Sequence, residues 1–259
     1  MSDTRILFGF HAVVGRLRRR PDSVHEIYLD PARRDARARD LAARAAAAGV
    51  RVIEADASRI ERIAGAEKHQ GVAARVVAIE LRAGIEDVIA QAQEPVLLLV
   101  LDGVQDPHNL GACLRVADGF GAHAVIAPKD RAVALTPTVA KVAAGAADAV
   151  PYLQVTNLAR TLKQLQQAGI WVIGADQEGA DPLPAARLDG PLAWVLGAEG
   201  EGLRRLTRES CDQLVRIPMQ GSVESLNVSV AAGICLYESR RQRAMSQRAM
   251  ALNSRSKGL

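Results

Sequence analysis

Three short polar segments hold the side chains of this chain best suited to chemistry. In DGVQDPHNLGACLR, residues 102–115, Asn109 and Arg115 offer an amide and a planar cation near a helix start. In LGAEGEG, residues 196–202, Gly197, Gly200 and Gly202 surround Glu199, a carboxylate that can accept hydrogen bonds from hydroxyls. In IPMQGSVESLNVSVA, residues 217–231, Ile217 opens a stretch of small and polar residues that includes Ser225, Leu226 and Asn227. Glycines let a ligand approach the backbone. An Asn and an Arg on one face at a helix N-terminus can hold a phosphate or a ribose edge. Small, apolar, backbone-rich surroundings suit an adenine ring and leave hydroxyl and amide groups for a ribose. The same residues also fit plainer roles: an Asn cap with a solvated Arg in the first segment, and Ser225 or Asn227 as the N-cap of the last helix.

Each segment follows an apolar run of strand character, namely Val96–Leu101, Leu192–Leu196 and Leu214–Ile217, and leads into a helical stretch. Gly174-Ala175-Asp176 ends the run Trp171–Ala175 in the same way and could line the same crevice. From Pro95 onward, these runs and two more, His123–Ala127 and Ala149–Tyr152, alternate with helices at Asn109–Phe120, Leu158–Ala168 and Leu203–Glu209. Thr156 or Asn157 is placed to cap the second helix. A long final helix is expected from about Asn227 to Met245. Such alternation predicts an α/β domain with a parallel sheet and helices on both faces. Ligands of open α/β sheets bind at the carboxyl ends of the strands, so one site accounts for all three loops.

Residues 1–76 form a second, smaller α/β unit: helix Phe8–Arg19, strand Glu26–Asp30, helix Ala32–Gly49, then strands Val50–Glu54 and Val72–Ile79. Residues 77–94 read as a linker with a short helix closed by Pro95. The larger α/β domain then spans 95–245, and 246–259 reads as a disordered basic tail because the apolar periodicity fails there. The overall charge of +4 hides an asymmetry. Residues 1–76 carry 15 Lys/Arg against 10 Asp/Glu, residues 77–239 carry 12 against 19, and residues 240–259 carry six basic side chains and no acidic one. Basic ends favour a polyanion, with nucleic acid the obvious candidate; solvated arginine on helix faces fits the same counts. His69-Gln70-Gly71 suits either an RNA contact or a turn. Aromatic residues are too scarce for base stacking to be the main RNA contact, Phe8, Phe10 and Tyr28 being the candidates in the basic unit.

With 259 residues, 49% hydrophobic, the chain can bury a full core. Nothing resembles a signal peptide, and no run of about 18 apolar residues predicts a membrane span. Cys113, Cys211 and Cys235 form no paired spacing and read as reduced, buried thiols of a cytoplasmic protein. No Ser-His-Asp arrangement or metal cluster is legible. The glycine fingerprint of nicotinamide enzymes is missing from the first strand–helix junction, which argues against an oxidoreductase.

DPHNLGACLR, GAEGEG and IPMQGSVESLNVSVA resemble, in order and spacing, the three signature motifs of the SpoU-type ribose 2′-O-methyltransferases of the SPOUT class. GFHAV at 9–13, HQGVAARV at 69–76 and DPHNLGACLRVAD at 106–118 are similar to the bacterial members that methylate a guanosine ribose in the peptidyl-transferase loop of 23S rRNA. The resemblance implies a C-terminal domain tied in a deep trefoil knot that binds S-adenosylmethionine, and an L30e-like RNA-binding domain before it. It also implies a homodimer through the last helix and rRNA processing in the cytoplasm. The expected partner is 23S rRNA or a pre-ribosomal particle, with no metal and no membrane. By motif position, Gly197, Ile217 and Leu226 would contact the cofactor, with Gly174 and Ala175 nearby. Asn109, Arg115, Glu199, Ser225 and Asn227 would form the catalytic and ribose-binding group. The basic C-terminal extension departs from the family pattern. Two other readings stay open: the same chemistry on another RNA such as a tRNA loop, and a ribosome-assembly factor acting mainly by binding. The family usually assigns the base to the position of Arg115. An arginine stays protonated at ordinary pH, so Arg115 is read here as a cation gripping the target phosphate, with water or Glu199 taking the proton.

Overall fold

Where apolar residues alternate and where they run unbroken decides the layers of this protein. The computed structural model describes residues 4–66, 69–77 and 84–256. They fall into two units, Met1–Leu81 with Ala144–Ala149, and Arg82–Ala143 with Val150–Leu259.

The first unit runs β1 (Thr4–Phe8), α1 (Phe10–Arg19), β2 (Val24–Leu29), α2 (Ala36–Ala47), β3 (Arg51–Glu54), α3 (Ala57–Ala64) and β4 (Val72–Val77). Its sheet has the order β1-β4-β2-β3, with β4 antiparallel to both neighbours and β2 parallel to β3. Phe10, Val13 and Leu17 of α1 and Leu41 of α2 pack on Ile27, Val72 and Val76. The opposite face takes Ile60 of α3 against Tyr28 and Ala73. The helix expected from Phe8 is split: Thr4–Phe8 is a strand, and Gly9, at φ 85°, turns the chain before α1 begins. The helix expected from Ala32 starts four residues later, because the Asp35 carboxylate accepts from the backbone N–H groups of Arg37 and Ala38. Helix α3 was not foreseen, since its eight residues bury Ile60 alone. The last two residues of the expected strand Val72–Ile79, and residues 78–83 of the linker region, lie outside the described residues.

The second unit continues α4 (Ile85–Ala90), β5 (Leu97–Asp102), α5 (Pro107–Gly119), β6 (Ala124–Pro128), α6 (Pro137–Ala143), β7 (Tyr152–Val155), α7 (Leu158–Gln167), β8 (Trp171–Ala175), the two-residue β9 (Asp181–Pro182), β10 (Leu192–Gly197), α8 (Arg205–Glu209), β11 (Gln213–Arg216) and α9 (Val228–Ser256). The sheet order is β7-β6-β5-β10-β8-β11-β9, and every pairing is parallel. All of β5, all of β6 and Leu192–Leu196 of β10 are buried. Helices cover both faces of such a sheet, which is why its strands read as unbroken apolar runs. On one face α7 sets Leu158, Leu162 and Leu165 against Leu98, Val100, Val172 and Val195. On the other, Trp194 is fully buried and its indole N–H donates to Ser239 Oγ of α9 at 2.9 Å. Asn157 caps α7, accepting from the Arg160 N–H at 2.9 Å. Helix α6 was absent from the sequence expectations.

Helix α9 runs past Met245 to Ser256, where a disordered tail was expected. Arg, Gln, Ala and Met are strong helix formers, so propensity carries the helix on after its apolar stripe ends. Nor do all of the basic residues after 239 face outward. Arg240 forms two bonds with Glu94, at 2.6 and 2.8 Å, and binds the carbonyls of Phe120 and Gly121. Arg243 is buried and donates to the carbonyls of Pro95, Val96 and Gly190. Arg241 pairs with Glu238 at 2.7 Å. Two of the six cations once read as polyanion-seeking, Arg240 and Arg243, therefore hold α9 in place, while Arg241 is paired within the helix.

Candidate active site

Parallel pairing brings the strand ends level. Asp102 lies opposite Gly197, Leu196 opposite Ala175, and Ala175 opposite Val215. The loops after β5, β10, β8 and β11 therefore leave the same edge of the sheet side by side. This is the edge where ligands of open α/β sheets bind.

Three of the sequence candidates meet there. Helix α5 is capped by Asp106, whose carboxylate accepts from the His108 N–H at 2.9 Å, with Pro107 in the first helical position. Asn109 is thereby released from capping, and its Nδ2 donates to Glu199 Oε1 at 3.3 Å. Asn227 does two jobs at once. Its Oδ1 caps α9, accepting from Ser229 N at 2.9 Å and Ser229 Oγ at 2.6 Å. Its Nδ2 donates to Asn109 Oδ1 at 2.8 Å and to Glu199 Oε1. The Val228 N–H at the start of α9 also points to Glu199 Oε1, at 3.4 Å. One carboxylate oxygen thus receives three donors, while Oε2 has no hydrogen-bond partner among the described residues. Different ends of one amide thus serve the cap and the contact with Asn109 and Glu199.

Arg115 is placed differently. Six residues along α5 turn it by about 120° and carry it about 9 Å from Asn109, so the two do not share a helix face. It is exposed and makes no hydrogen bond or ion pair among the described residues. Ser225 does not join the hydrogen-bonded cluster either; it is exposed and lines the cavity beside Leu226.

That cavity, of about 400 Å³, is walled by Ala175, Leu196, Gly197, Ile217, Met219, Ser225 and Leu226. Its size falls within the range of small-molecule sites. Gln177 Nε2 donates to the Glu224 carbonyl and joins the loops after β8 and β11 across its rim. Gly174 lies one residue too early on β8 to line it. A Cβ there would meet Leu214 at 2.7 Å and Leu203 at 2.9 Å, so its smallness serves core packing. Gly197 is needed for a steric reason: a Cβ would stand 2.0 Å from the backbone carbon and oxygen of Gly202, where the loop folds back through an Ala198–Gly202 bridge.

Five carboxylates, Asp176, Glu178, Glu199, Glu201 and Glu224, line the cavity against one arginine. That arginine, Arg208, is itself paired with Glu178 at 2.7 Å and Asp176 at 3.5 Å. Such a wall repels a phosphate-bearing nucleotide and attracts a cation. A molecule with an adenosine portion and a positively charged sulfonium centre fits both the apolar lining and the charge. Among the described residues no group of three or more His, Cys, Asp and Glu side chains is placed to hold a metal ion. Burial pushes the thiols of Cys113, Cys211 and Cys235 up to about 12, which excludes them as nucleophiles at neutral pH.

Sequence reasoning missed one supporting pair. Asp102 is buried at the end of β5 and accepts from Arg204 N at 3.1 Å and Arg204 Nε at 2.6 Å. It ties the far end of the Glu199 loop to the strand beneath Asn109. An acid ending an apolar strand was the available signal.

Residues 96–237 match the model of the SpoU rRNA Methylase family, and residues 6–81 match that of the RNA 2′-O ribose methyltransferase substrate-binding domain. The chain is 60% identical over 245 residues to the 23S rRNA (guanosine-2′-O-)-methyltransferase RlmB of Ralstonia nicotianae, covering 95% of this chain and 98% of that relative. A solved RNA 2′-O ribose methyltransferase is 27% identical, with a TM-score of 0.70 over 94% of this chain and 90% of its own. The SpoU methyltransferase AviRb of Streptomyces viridochromogenes, solved with the cofactor AdoMet, shares the fold at 23% identity, with a TM-score of 0.68 over 93% of this chain and 91% of its own. In these matches the polar loops lie within the methylase segment and the smaller basic unit within the substrate-binding one. No helix among the described residues is long and apolar enough to cross a membrane.

Proposed function

Because the chain belongs to the SpoU rRNA methylase family, we propose that it transfers the methyl group of S-adenosylmethionine to the ribose 2′-oxygen of a guanosine in 23S rRNA. The observation that carries this reading is the Asn109–Glu199–Asn227 cluster, set beside an acidic cavity at the edge where the three family motifs meet. When bound, the cofactor supplies an electrophilic methyl group on a positively charged sulfur. The protein must align that methyl with the 2′-oxygen and accept the hydroxyl proton. Gly197, Ile217 and Leu226 line the space for the adenosine portion, and the five carboxylates favour the cation. Asn109 and Asn227 hold Glu199 by one oxygen and leave the other to accept the 2′-hydroxyl. Ser225, on the rim, is suited to the ribose. Arg115 stands outside the cluster as a cation for the target phosphate.

Finer points belong to the same proposal. The target lies in the peptidyl-transferase loop, met on free rRNA or on a pre-ribosomal particle in the cytoplasm, with residues 1–76 gripping the RNA. A sheet whose central strand β10 is inserted late, between β5 and β8, supports a trefoil knot. Val230, Tyr237 and Met245 are at least half exposed and lie along one side of α9. This apolar stripe supports a homodimer in which a second copy covers it, and sedimentation should then return twice the chain mass.

The deciding experiment is methyl transfer from labelled S-adenosylmethionine to 23S rRNA fragments, with alkali-resistance mapping of the product. One protected linkage at a guanosine of the peptidyl-transferase loop is expected, and no incorporation with intact cofactor binding would sink the substrate. For Arg115→Lys we expect RNA affinity within several-fold of the original and a rate lowered by about 100-fold, because the planar fork is lost. Near-normal turnover by that variant would remove Arg115 from the chemistry.

A further inference from the structure

The cations of the second unit are of two kinds. Around the cavity they are engaged internally: Arg204 with Asp102, Arg208 with Glu178, Arg205 with Glu209, and Arg216 with the carbonyls of Gly179 and Ala180. Beside α5 they are not. Arg115, Lys129, Arg131 and Lys141 are exposed and have no ion pair or hydrogen bond from their side chains among the described residues. Asp130, between two of them, is the acidic residue of that loop.

The fold holds these four together. Lys129 and Arg131 stand on the loop after β6, at the same sheet edge as the candidate site. That loop is fixed by the Val133 N–H donating to the Val104 carbonyl at 3.2 Å and by the Tyr152 hydroxyl donating to the Val133 carbonyl at 2.8 Å. Arg131 is held at φ 58°, a left-handed conformation rare for a residue with a side chain. Lys141 lies on α6, which approaches α5 so closely that a Cβ on Gly111 would come 2.6 Å from Val142. Arg115 follows Gly111 by four residues and so shares the α5 face turned toward α6. Asn109 faces the other way, to Glu199. Helix α5 thus separates an acidic cavity from a basic rim.

We propose that Lys129, Arg131 and Lys141 form, with Arg115, a phosphate-binding rim that holds the RNA backbone flanking the target nucleotide on the methylase unit itself. The inference rests on the RNA reading above, and it adds a second RNA contact apart from residues 1–76. Unpaired cations on ordered backbone, next to a site whose other arginines are engaged within the protein, are what a polyanion requires.

The test is a full-length triple variant, Lys129→Gln with Arg131→Gln and Lys141→Gln. Its binding to a transcribed 23S rRNA fragment is measured across a salt series, together with methyl-transfer kinetics. The Kd and KM for RNA should rise by roughly tenfold or more, and the slope of log affinity against log salt should fall by about two. Cofactor affinity and kcat at saturating RNA should stay within about twofold. The control is Arg160→Gln with Lys163→Gln, two unpaired cations of α7 on the opposite face of the sheet. An unchanged salt slope in the triple variant, or an equal fall in the control, overturns the rim. Binding is read without turnover, so salt-dependent binding by the original chain with no methyl transfer would fault the proposed reaction and leave the rim supported.

Discussion

Glu199→Gln should lower kcat for methyl transfer by about 100-fold, roughly 2.7 kcal/mol of barrier, while leaving cofactor affinity within a fewfold. The substitution isolates one atom. Glu199 Oε1 takes the donors from Asn109, Asn227 and Val228, and a glutamine carbonyl can take them equally well. What changes is Oε2, where an acceptor free of hydrogen bonds becomes an N–H₂ donor. The cluster stays assembled, yet a hydroxyl proton has nowhere to go. Stopped-flow or single-turnover transfer would read the step directly. A variant at near-normal speed would show that the carboxylate only braces the loop and that water removes the proton unaided.

Gly197→Ala should act at the other end of the cycle, abolishing detectable cofactor binding, a loss of 100-fold or more in affinity. The added methyl would stand 2.0 Å from the Gly202 backbone, where no rotamer can relieve it. The loop must then leave the strand end and take a wall of the cavity with it. Overpacking of this order costs about 1–3 kcal/mol, so the melting temperature should also fall by a few degrees. Calorimetric titration with S-adenosylmethionine checks the first effect. Unchanged affinity would mean that the fold-back at Gly202 is not part of the binding wall. Together the two variants separate holding the cofactor from using it.

Much of this was legible in the sequence because the loops announce themselves: glycines and polar side chains following runs too apolar to be anything but buried strands. Asn109, Glu199 and Asn227 could be named, and Asn157 could be placed as a cap. Other features were hidden for physical reasons. Helix α6 has seven residues and α3 eight, too short for a 3.6-residue period to establish itself. Strand β1 merges in sequence with α1 because only Gly9 separates them. Gly174 and Gly197 look alike in the sequence, yet one fits a core and the other a turn, a distinction set by neighbours far along the chain. Charge misled most. Arg240 and Arg243 were counted in a basic end that favours a polyanion, whereas backbone carbonyls 50 to 150 positions away draw them inward.

The strand order has a consequence for how this molecule comes into being during its own synthesis. Strand β10 lies between β5 and β8, so the middle of the sheet is supplied near the end of synthesis. Until residue 197 has emerged, β5–β7 and β8 are two fragments with raw edges facing each other. Pairings that join residues about 95 apart cost loop entropy before they return any contact, which makes assembly slow. During that wait the apolar edges of β5 and β8 are open to other chains. Rapid, crowded expression should therefore favour aggregation of incomplete chains over any instability of the finished fold.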